Sequence, residues 1–223
     1  HRVALLLQNR AEFLLHWFAL NGLGCSVVPV NDEMAPQEQA YIINHSDAAV
    51  LLHLPDLAEK VAALKPLLAG GMRYQSTADM DRLYRPGANA ASATATPLQR
   101  ECAVLYTSGS TGKPKGCILS NDYFLRSGRR YVELGGLCAL EPGRERLATP
   151  LPLVHMNAMA CSTLAMVMTG GCLVQLDRFH PRSWWPTVRA SRASIVHYLG
   201  VMPAMLLGME PQQGPGGDDF SSQ

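Results

Sequence analysis

One short segment concentrates residues whose chemistry suits the binding of phosphate groups. Between Tyr106 and Gly116 the chain has four Ser or Thr hydroxyls, three glycines and two lysines, directly after an apolar run at 103–106. Glycines let backbone N–H groups approach phosphate oxygens, hydroxyls donate further hydrogen bonds, and lysine neutralises charge. Open α/β sheets bind ligands at the carboxyl ends of their strands, so the position of the segment also fits. The segment therefore predicts a cradle for a polyanion.

Two common nucleotide-binding loops do not match this segment. A Walker A loop, G-x-x-x-x-G-K-[ST], requires glycine where Thr107 stands and a hydroxyl residue where Pro114 stands. The glycines also lack the G-x-G-x-x-G spacing of a dinucleotide-binding turn. The remaining alternative is a flexible Ser/Gly surface turn, which rarely combines this composition with a preceding hydrophobic strand. The pattern favours a phosphate loop of another type.

Residues Val104 to Lys115 resemble the phosphate-binding signature of the AMP-forming adenylating enzymes, a superfamily of acyl-CoA synthetases, peptide synthetase adenylation domains and luciferases. Other segments extend the resemblance over roughly residues 1–207, namely 2–9, 12–13, 28–31, 151–155 and 201–203. In the 151–155 segment Val154 replaces an aromatic residue of the family, which affects the expected shape of the acyl pocket. The order of the units most resembles carnitine/crotonobetaine-CoA ligases.

The resemblance implies a ligase that joins a carboxylic acid to ATP, releases pyrophosphate, and passes the acyl group to coenzyme A. It assigns the β- and γ-phosphates of ATP to the loop. The implied nucleotide-binding residues are Thr107, Ser108, Gly109, Ser110, Thr111, Gly112 and Lys115. Lys113 is equally well explained as a solvated surface lysine.

His155 is the implied catalytic residue, at the border of the acyl pocket, where it would gate access to the adenylate. The alternative is a packed histidine hydrogen-bonded to backbone. The site role is favoured here by the expectation that His155 follows a strand on the same sheet edge as the loop. By contrast, His197 lies within an apolar run and is predicted to be a core residue, and Trp184 and Trp185 are predicted to pack.

Later motifs of the family are missing: the Glu that helps hold magnesium, the Asp that binds ribose, and the lysine of the small C-terminal domain. Glu101 and Asp122 flank the loop at the wrong ends of strand and helix to replace them. The resemblance therefore implies an N-terminal portion, inactive alone, of an enzyme using ATP, Mg²⁺ and coenzyme A, the last two held largely by residues absent from this chain. Two alternatives stay open, a non-catalytic nucleotide-binding or interaction module and an adenylation domain that serves a carrier protein.

Composition excludes several other classes. Of 223 residues 48% are apolar and 17% charged, which excludes a disordered chain, and a net charge of +1 gives no field for nucleic acid. The expected partner is a small carboxylic acid.

Residues 147–176 lack charged side chains, but prolines, His155, Asn157 and paired glycines interrupt them, so a buried helix and strand explain them better than a membrane span.

The six cysteines show no C-x-x-C pair and no histidine at metal-ligand spacing. Each has apolar neighbours in sequence, which predicts buried free thiols in a reducing cytoplasm and no metal site.

Short apolar runs alternate with helical patterns, which predicts an α/β fold with a doubly wound, mostly parallel sheet and helices on both faces. Strands are expected at 3–7, 25–30, 48–52, 103–106, 146–149, 172–176 and 194–199. Helices are expected from Asn9 (with a capping box closed by Glu12), from Pro36, at 57–68, 120–133, 157–168 and 181–190, and from Pro203.

The expected organisation is a first α/β unit at 1–85, a linker at 86–100, a second unit carrying the loop at 101–207, and a flexible tail at 208–223. An incomplete sheet would expose an apolar edge, which predicts self-association.

Overall fold

Two separate sheets organise the chain. The computed structural model describes residues 1–79, 97–108 and 112–209, and its two compact units divide between Phe124 and Leu125. The strands are β1 Arg2–Leu6, β2 Ser26–Pro29, β3 Val50–His53, β4 Arg73–Ser76, β5 Glu101–Thr107, β6 Lys115–Ser120, β7 Arg146–Thr149, β8 Cys172–Gln175 and β9 Ile195–Val196. The α-helices are α1 Ala11–Gly22, α2 Pro36–His45, α3 Ala58–Leu64, α4 Asn121–Val132, α5 Thr163–Thr169, α6 Trp184–Ser191 and α7 Met202–Leu207. Short 3₁₀ turns lie at Pro55–Leu57, Lys65–Leu67, Thr77–Asp79, Gly136–Cys138 and Pro181–Ser183, and a π-helix lies at Asn157–Ser162.

The first unit has a six-stranded sheet in the order β4-β3-β1-β2-β5-β6. Strands β1 to β5 are parallel, and β6 returns antiparallel to β5. The β1–β2 and β2–β3 connections run in opposite directions, so right-handed crossovers place α1 and α2 on opposite faces. Helix α3 packs beside α2. The predicted doubly wound, mostly parallel sheet with helices on both faces is confirmed.

The start of α1 differs from the prediction. Its N-cap is Arg10, without a side-chain cap, and the Glu12 carboxylate instead pairs with the Arg10 guanidinium at 3.2 Å. A capping box needs the acid three residues after the cap, and Glu12 is only two residues after Arg10. In α2 the corresponding bond does form, because the Ala35 N–H donates to Glu38 Oε2 at 3.2 Å.

Two strands of the first sheet were not predicted. Strand β4 carries polar side chains at the sheet edge and so has no apolar run, while β6 begins inside the predicted loop and continues through 117–119, which were assigned to no element. Strand β5 pairs with β2 at Val27 and Ala103, so it belongs to the same sheet as the N-terminal strands. The two compact units divide inside α4, between Phe124 and Leu125. Of the predicted linker 86–100, residues 86–96 lie outside the described residues, so the linker stays a prediction. Most of the predicted tail, 210–223, also lies outside them.

The second unit has a three-stranded parallel sheet in the order β8-β7-β9. One core cluster contains Leu147, Ala165 and Met166, and another contains Trp184, Val188 and Met202. Strand β9 is shorter than predicted, so His197 lies just after it and is half-buried, not inside a core strand. Trp184 packs as predicted, with 1% of its surface exposed.

The cysteine prediction is only partly right. All six thiols are free, but only Cys102 is buried, and burial raises its pKa to about 11. Cys117 and Cys138 are exposed, because β6 is an edge strand and Cys138 lies in a surface turn. Within 1–79, 97–108 and 112–209, no helix has the length and apolar character needed to cross a bilayer.

Candidate phosphate-binding site

The predicted phosphate loop is the connection of a β-hairpin. In the β5–β6 register Thr107 faces Lys115 and Tyr106 faces Gly116, so Ser108 and 112–114, the described residues between these strands, lie at the tip. The described members of the predicted set, Thr107, Ser108, Gly112 and Lys115, are all exposed, as is Lys113. The other three, Gly109, Ser110 and Thr111, lie outside the described residues. Hydroxyl and ammonium groups are thus presented to solvent at one hairpin end.

The hairpin tip lies at the carboxyl edge of the first sheet, where the parallel strands β1, β2 and β5 all end. Other polar side chains collect at the same edge: Gln8 Nε2 donates to Asp32 Oδ2 at 3.2 Å. Lys60 Nζ donates to the Asp32 carbonyl at 2.7 Å. A ligand site at this edge is what the fold class favours.

Two glycines of the hairpin are required for different reasons. Gly112 has φ +92°, a left-handed conformation that side chains disfavour, while a Cβ there would meet nothing within 4 Å. At Gly116 the restriction is space, because a Cβ would lie 3.0 Å from both Tyr106 Cζ and Val104 Cγ1. Gly112 therefore shapes the tip, and Gly116 lets the Tyr106 ring lie across the hairpin.

Residues on the last turn of α2 contact this hairpin, and sequence reasoning did not find them. The Tyr41 hydroxyl donates to the Pro114 carbonyl at 3.2 Å. His45 Nδ1 and the Tyr106 hydroxyl are hydrogen-bonded at 2.8 Å, and the His45 ring stacks on Tyr41 with centroids 5.2 Å apart. The only sequence signal is the spacing of Tyr41 and His45, four residues apart on one helix face.

The charge near the tip comes from Lys113 and Lys115. Lys113 Nζ lies 5.8 Å from the centroid of the Tyr41 ring. Glu101 is at the opposite end of β5, where the Arg2 guanidinium holds both its oxygens at 2.6 and 2.8 Å. That hydrogen-bonded pairing lowers the pKa of Glu101 despite partial burial. The position of Glu101 therefore agrees with the prediction that it lies at the wrong end of its strand to replace the missing acidic residues of the family.

The cluster geometry fits a polyphosphate better than a metal ion. Exposed ammonium and hydroxyl groups are donors to phosphate oxygens. Among the residues that the structure describes, no three His, Cys, Asp or Glu side chains lie close enough to hold a metal ion.

His155 lies in the second unit, two residues before the π-helix. Its side chain is exposed; its N–H donates to the Pro152 carbonyl and its carbonyl accepts from the Met159 N–H, both at 3.0 Å. Strand β7, which precedes it, belongs to the second sheet, so the expectation that His155 follows a strand of the loop's sheet is wrong. Apolar runs do not specify which strands pair. The role of His155 stays a prediction.

His197 lies in a small cluster of polar and aromatic side chains in the second unit. Its Nδ1 lies 3.2 Å from Ser162 Oγ, and its ring meets Tyr131 edge-on at 6.0 Å. Burial lowers the pKa of His197, which favours a neutral ring. Ser162 Oγ also bonds the Asn157 carbonyl at 3.1 Å, so the cluster spans the π-helix.

Comparison with known proteins places these features in a family. A family model described as "AMP-binding enzyme" matches residues 1–222. A crotonobetaine/carnitine–CoA ligase of Escherichia coli O17:K52:H18 is 28% identical over 94% of this chain and 42% of its own length. The chain thus spans less than half the length of that curated relative.

Solved structures show the same fold. A Mycobacterium tuberculosis fatty acyl CoA synthetase superposes with a TM-score of 0.77 at 22% identity, covering 93% of this chain and 40% of that one. The o-succinylbenzoate coenzyme A synthetase of Bacillus subtilis, in complex with ATP and magnesium ion, superposes with a TM-score of 0.74 at 22% identity, covering 96% and 53%.

Proposed function

The chain belongs to the AMP-binding enzyme family, and on that premise we propose that it supplies the phosphate-holding part of an ATP-dependent carboxylate–CoA ligase. The observation that carries the proposal is the exposed hairpin tip at the carboxyl edge of a parallel sheet. Its described residues include two lysines and two hydroxyl residues. Curated relatives that are crotonobetaine/carnitine–CoA ligases support the class of reaction.

In the proposed reaction a substrate carboxylate oxygen attacks the α-phosphorus of ATP. The bond from that phosphorus to the α,β-bridging oxygen breaks, so the products are acyl-adenylate and pyrophosphate, and the thiol of coenzyme A then displaces AMP. Negative charge grows on the departing pyrophosphate. Fixed donors aimed at that charge lower the barrier more than they stabilise bound ATP.

The residues of the hairpin divide this task by their chemistry. Thr107 and Ser108 supply hydroxyl donors, Gly112 gives backbone access, and Lys115 supplies positive charge; Gly109, Ser110 and Thr111 are proposed for the same purpose from the sequence. His155 is proposed to border the acyl pocket. Magnesium, when bound to the nucleotide, would screen the phosphate charges.

Calorimetric titration of the 223-residue chain with ATP, pyrophosphate and AMP tests the phosphate-holding role. We expect ATP and pyrophosphate to bind in the presence of magnesium and AMP to bind much more weakly, because the hairpin is assigned to the β- and γ-phosphates. Lys115→Ala should weaken pyrophosphate binding about tenfold, since it removes a charge-assisted contact. Equal affinity for AMP and ATP would contradict the proposal.

Lys65→Ala is the matched control. It removes the same charge from the same unit, and Lys65 also lies over a tyrosine ring, 4.9 Å from the centroid of Tyr74, but outside the hairpin. It should leave pyrophosphate affinity unchanged. An equal loss in both variants would mean that binding follows net charge and not the site.

Carboxylate-dependent ATP–pyrophosphate exchange then addresses the chemistry and the acid. The panel contains short, branched, aromatic and betaine-type acids. We expect the chain alone to give no exchange, as the resemblance assigns further catalytic groups to segments it does not contain. Exchange with one acid would name the substrate class and show that this stretch suffices. Nucleotide binding without exchange, also in longer chains that carry the further catalytic segments of the family, would favour a binding module.

A further inference from the structure

We propose that Tyr41, His45 and Tyr106 form a positioning cluster that holds the β6 side of the phosphate loop and makes Lys113 a second phosphate ligand. This inference rests on the proposed function. It assigns Lys113 to the phosphate-binding site, where the sequence had left a solvated surface lysine as an equal alternative. We call these three residues the aromatic anchor.

The aromatic anchor ties the hairpin to α2 at two points. Directly before β6, the Pro114 carbonyl accepts from the Tyr41 hydroxyl at 3.2 Å. On β5, the Tyr106 hydroxyl is bonded to His45 Nδ1 at 2.8 Å, and the two rings meet edge-on at 5.8 Å. Since Tyr41 and His45 stack on each other, the two attachments form one unit.

Packing inside the hairpin fits the aromatic anchor closely. The Tyr106 ring crosses to β6 above Gly116, where a Cβ would come within 3.2 Å of its hydroxyl oxygen. Any side chain at 116 would push the ring away from His45. Gly116 therefore leaves room for the Tyr106 ring in the position where its hydroxyl is bonded to His45.

The aromatic anchor places Lys113 without neutralising it. Its ammonium lies 5.8 Å from the Tyr41 ring centroid, within the range of a cation–π contact. A ring engages one side of an ammonium group, so the remaining N–H donors stay available to phosphate oxygens. The Tyr41 ring therefore restricts where Lys113 points while its charge remains exposed.

The electrostatic state of the aromatic anchor suits this role. Burial, as the largest cause, raises the pKa of Tyr106 to about 12, so its hydroxyl remains neutral at physiological pH. A neutral phenol next to the hairpin tip adds no negative charge to compete with phosphate for the two lysines.

A double-mutant cycle on the whole 223-residue chain tests the inference, with Mg²⁺–pyrophosphate as the probe. Lys113→Met should weaken binding about fivefold, and Tyr41→Leu about threefold, because loss of the ring frees the lysine. The double variant should be only slightly weaker than Lys113→Met, since the Tyr41 ring acts through Lys113 and only the hydroxyl bond to Pro114 acts independently of it. Lys113→Arg should restore most of the affinity.

Tyr74→Leu is the control for the cycle. It removes the analogous ring under Lys65, outside the site. It should leave pyrophosphate affinity unchanged, alone and combined with Lys113→Met.

A ligand-free measurement reports the geometry directly. In proton NMR the Lys113 side-chain methylenes should be shifted upfield by the Tyr41 ring, and Tyr41→Leu should abolish that shift while Tyr41→Phe keeps it. Folding of each variant is read from the same spectra.

The outcomes separate this inference from the proposed function. If Lys115→Ala weakens binding but Lys113→Met does not, or if Tyr41→Leu weakens binding equally with and without Lys113, the positioning role is overturned alone. An unshifted Lys113 signal in the unmodified chain also overturns it. If the unmodified chain binds neither pyrophosphate nor ATP, both proposals fail.

Discussion

The two units of this chain differ in how many of their strands are buried. In the first unit β2 is buried along its whole length and β1 and β3 at every position but the first, while the edge strands β4 and β6 are partly exposed. In the second unit only β7 among the described strands is buried in the same way, and β8 and β9 are half-buried throughout. Parallel strands need cover on both faces. The first sheet has α1 on one face and α2 with α3 on the other, while the described part of the second unit covers its outer strands only partly. We therefore expect the first unit to hold the residues of a site more rigidly than the second.

The largest expected test of this comparison uses one buried tryptophan in each unit. Trp17 and Trp184 are each 1% exposed. Trp17 packs on Phe124, itself 1% exposed, whereas the neighbours of Trp184 are mostly half-buried and can close in. Trp17→Ala should lower the free energy of unfolding by about 3–5 kcal/mol and Trp184→Ala by about 2–3 kcal/mol.

Hydrogen exchange at the β1 and β7 amides, with chemical denaturation, measures the two effects. Trp185→Ala provides a control, because Trp185 is half-buried, and it should cost less than either. Equal losses at Trp17 and Trp184 would break the comparison.

The second test uses close backbone approach within the second unit. A Cβ at Gly128 in α4 would lie 2.5 Å from Leu164 Cβ, so Gly128→Ala must displace a helix contact. We expect a loss of about 1–3 kcal/mol in unfolding free energy. Gly22→Ala at the end of α1 meets nothing within 4 Å and should change stability little. If denaturation shows no change in unfolding free energy for Gly128→Ala, the helices of the second unit can move apart more easily than their packing indicates.

The Arg2–Glu101 pair sharpens the comparison through acid stability of the first unit. The pKa of Glu101 is lowered in the folded chain, chiefly by the Arg2 hydrogen bond, so the pair stabilises the fold above the ordinary glutamate pKa. That stabilisation is lost as the pH falls through the lowered value. Glu101→Gln should cost about 1 kcal/mol at pH 7 and less on acidification, as seen by denaturation at a series of pH values. A pH-independent cost would contradict this.

The smallest effect is expected at His197 in the second unit. Burial lowers the pKa of His197, so the unfolded chain takes up a proton first as the pH falls below the ordinary histidine value. Stability of the second unit should therefore decline slightly from neutral to mildly acidic pH. His197→Asn, which retains a polar group toward Ser162, should reduce that decline, as followed by exchange at β7.

Much of the first unit was predictable from sequence because its signals are local. Apolar runs locate β1, β2, β3 and β5, since strands buried on both faces need continuous hydrophobic residues. Edge strands do not follow this rule, so the polar β4 was missed, and so was β6, which begins inside the predicted loop and continues through 117–119. The start of α1 was misplaced by one residue, which is within the uncertainty of helix ends.

The candidate site shows the same division. The order of residues from Thr107 to Lys115 by itself predicts a phosphate-binding loop, because hydroxyl, glycine and lysine groups act through local geometry. Sequence could not find Tyr41 and His45, which lie 73 and 61 positions from their hydrogen-bond partners Pro114 and Tyr106. Nor could it place His155, since strand pairing depends on contacts between distant segments. The sequence alone thus determined which groups could hold phosphate, and only the tertiary structure decided what supports them, because that support is built from long-range packing.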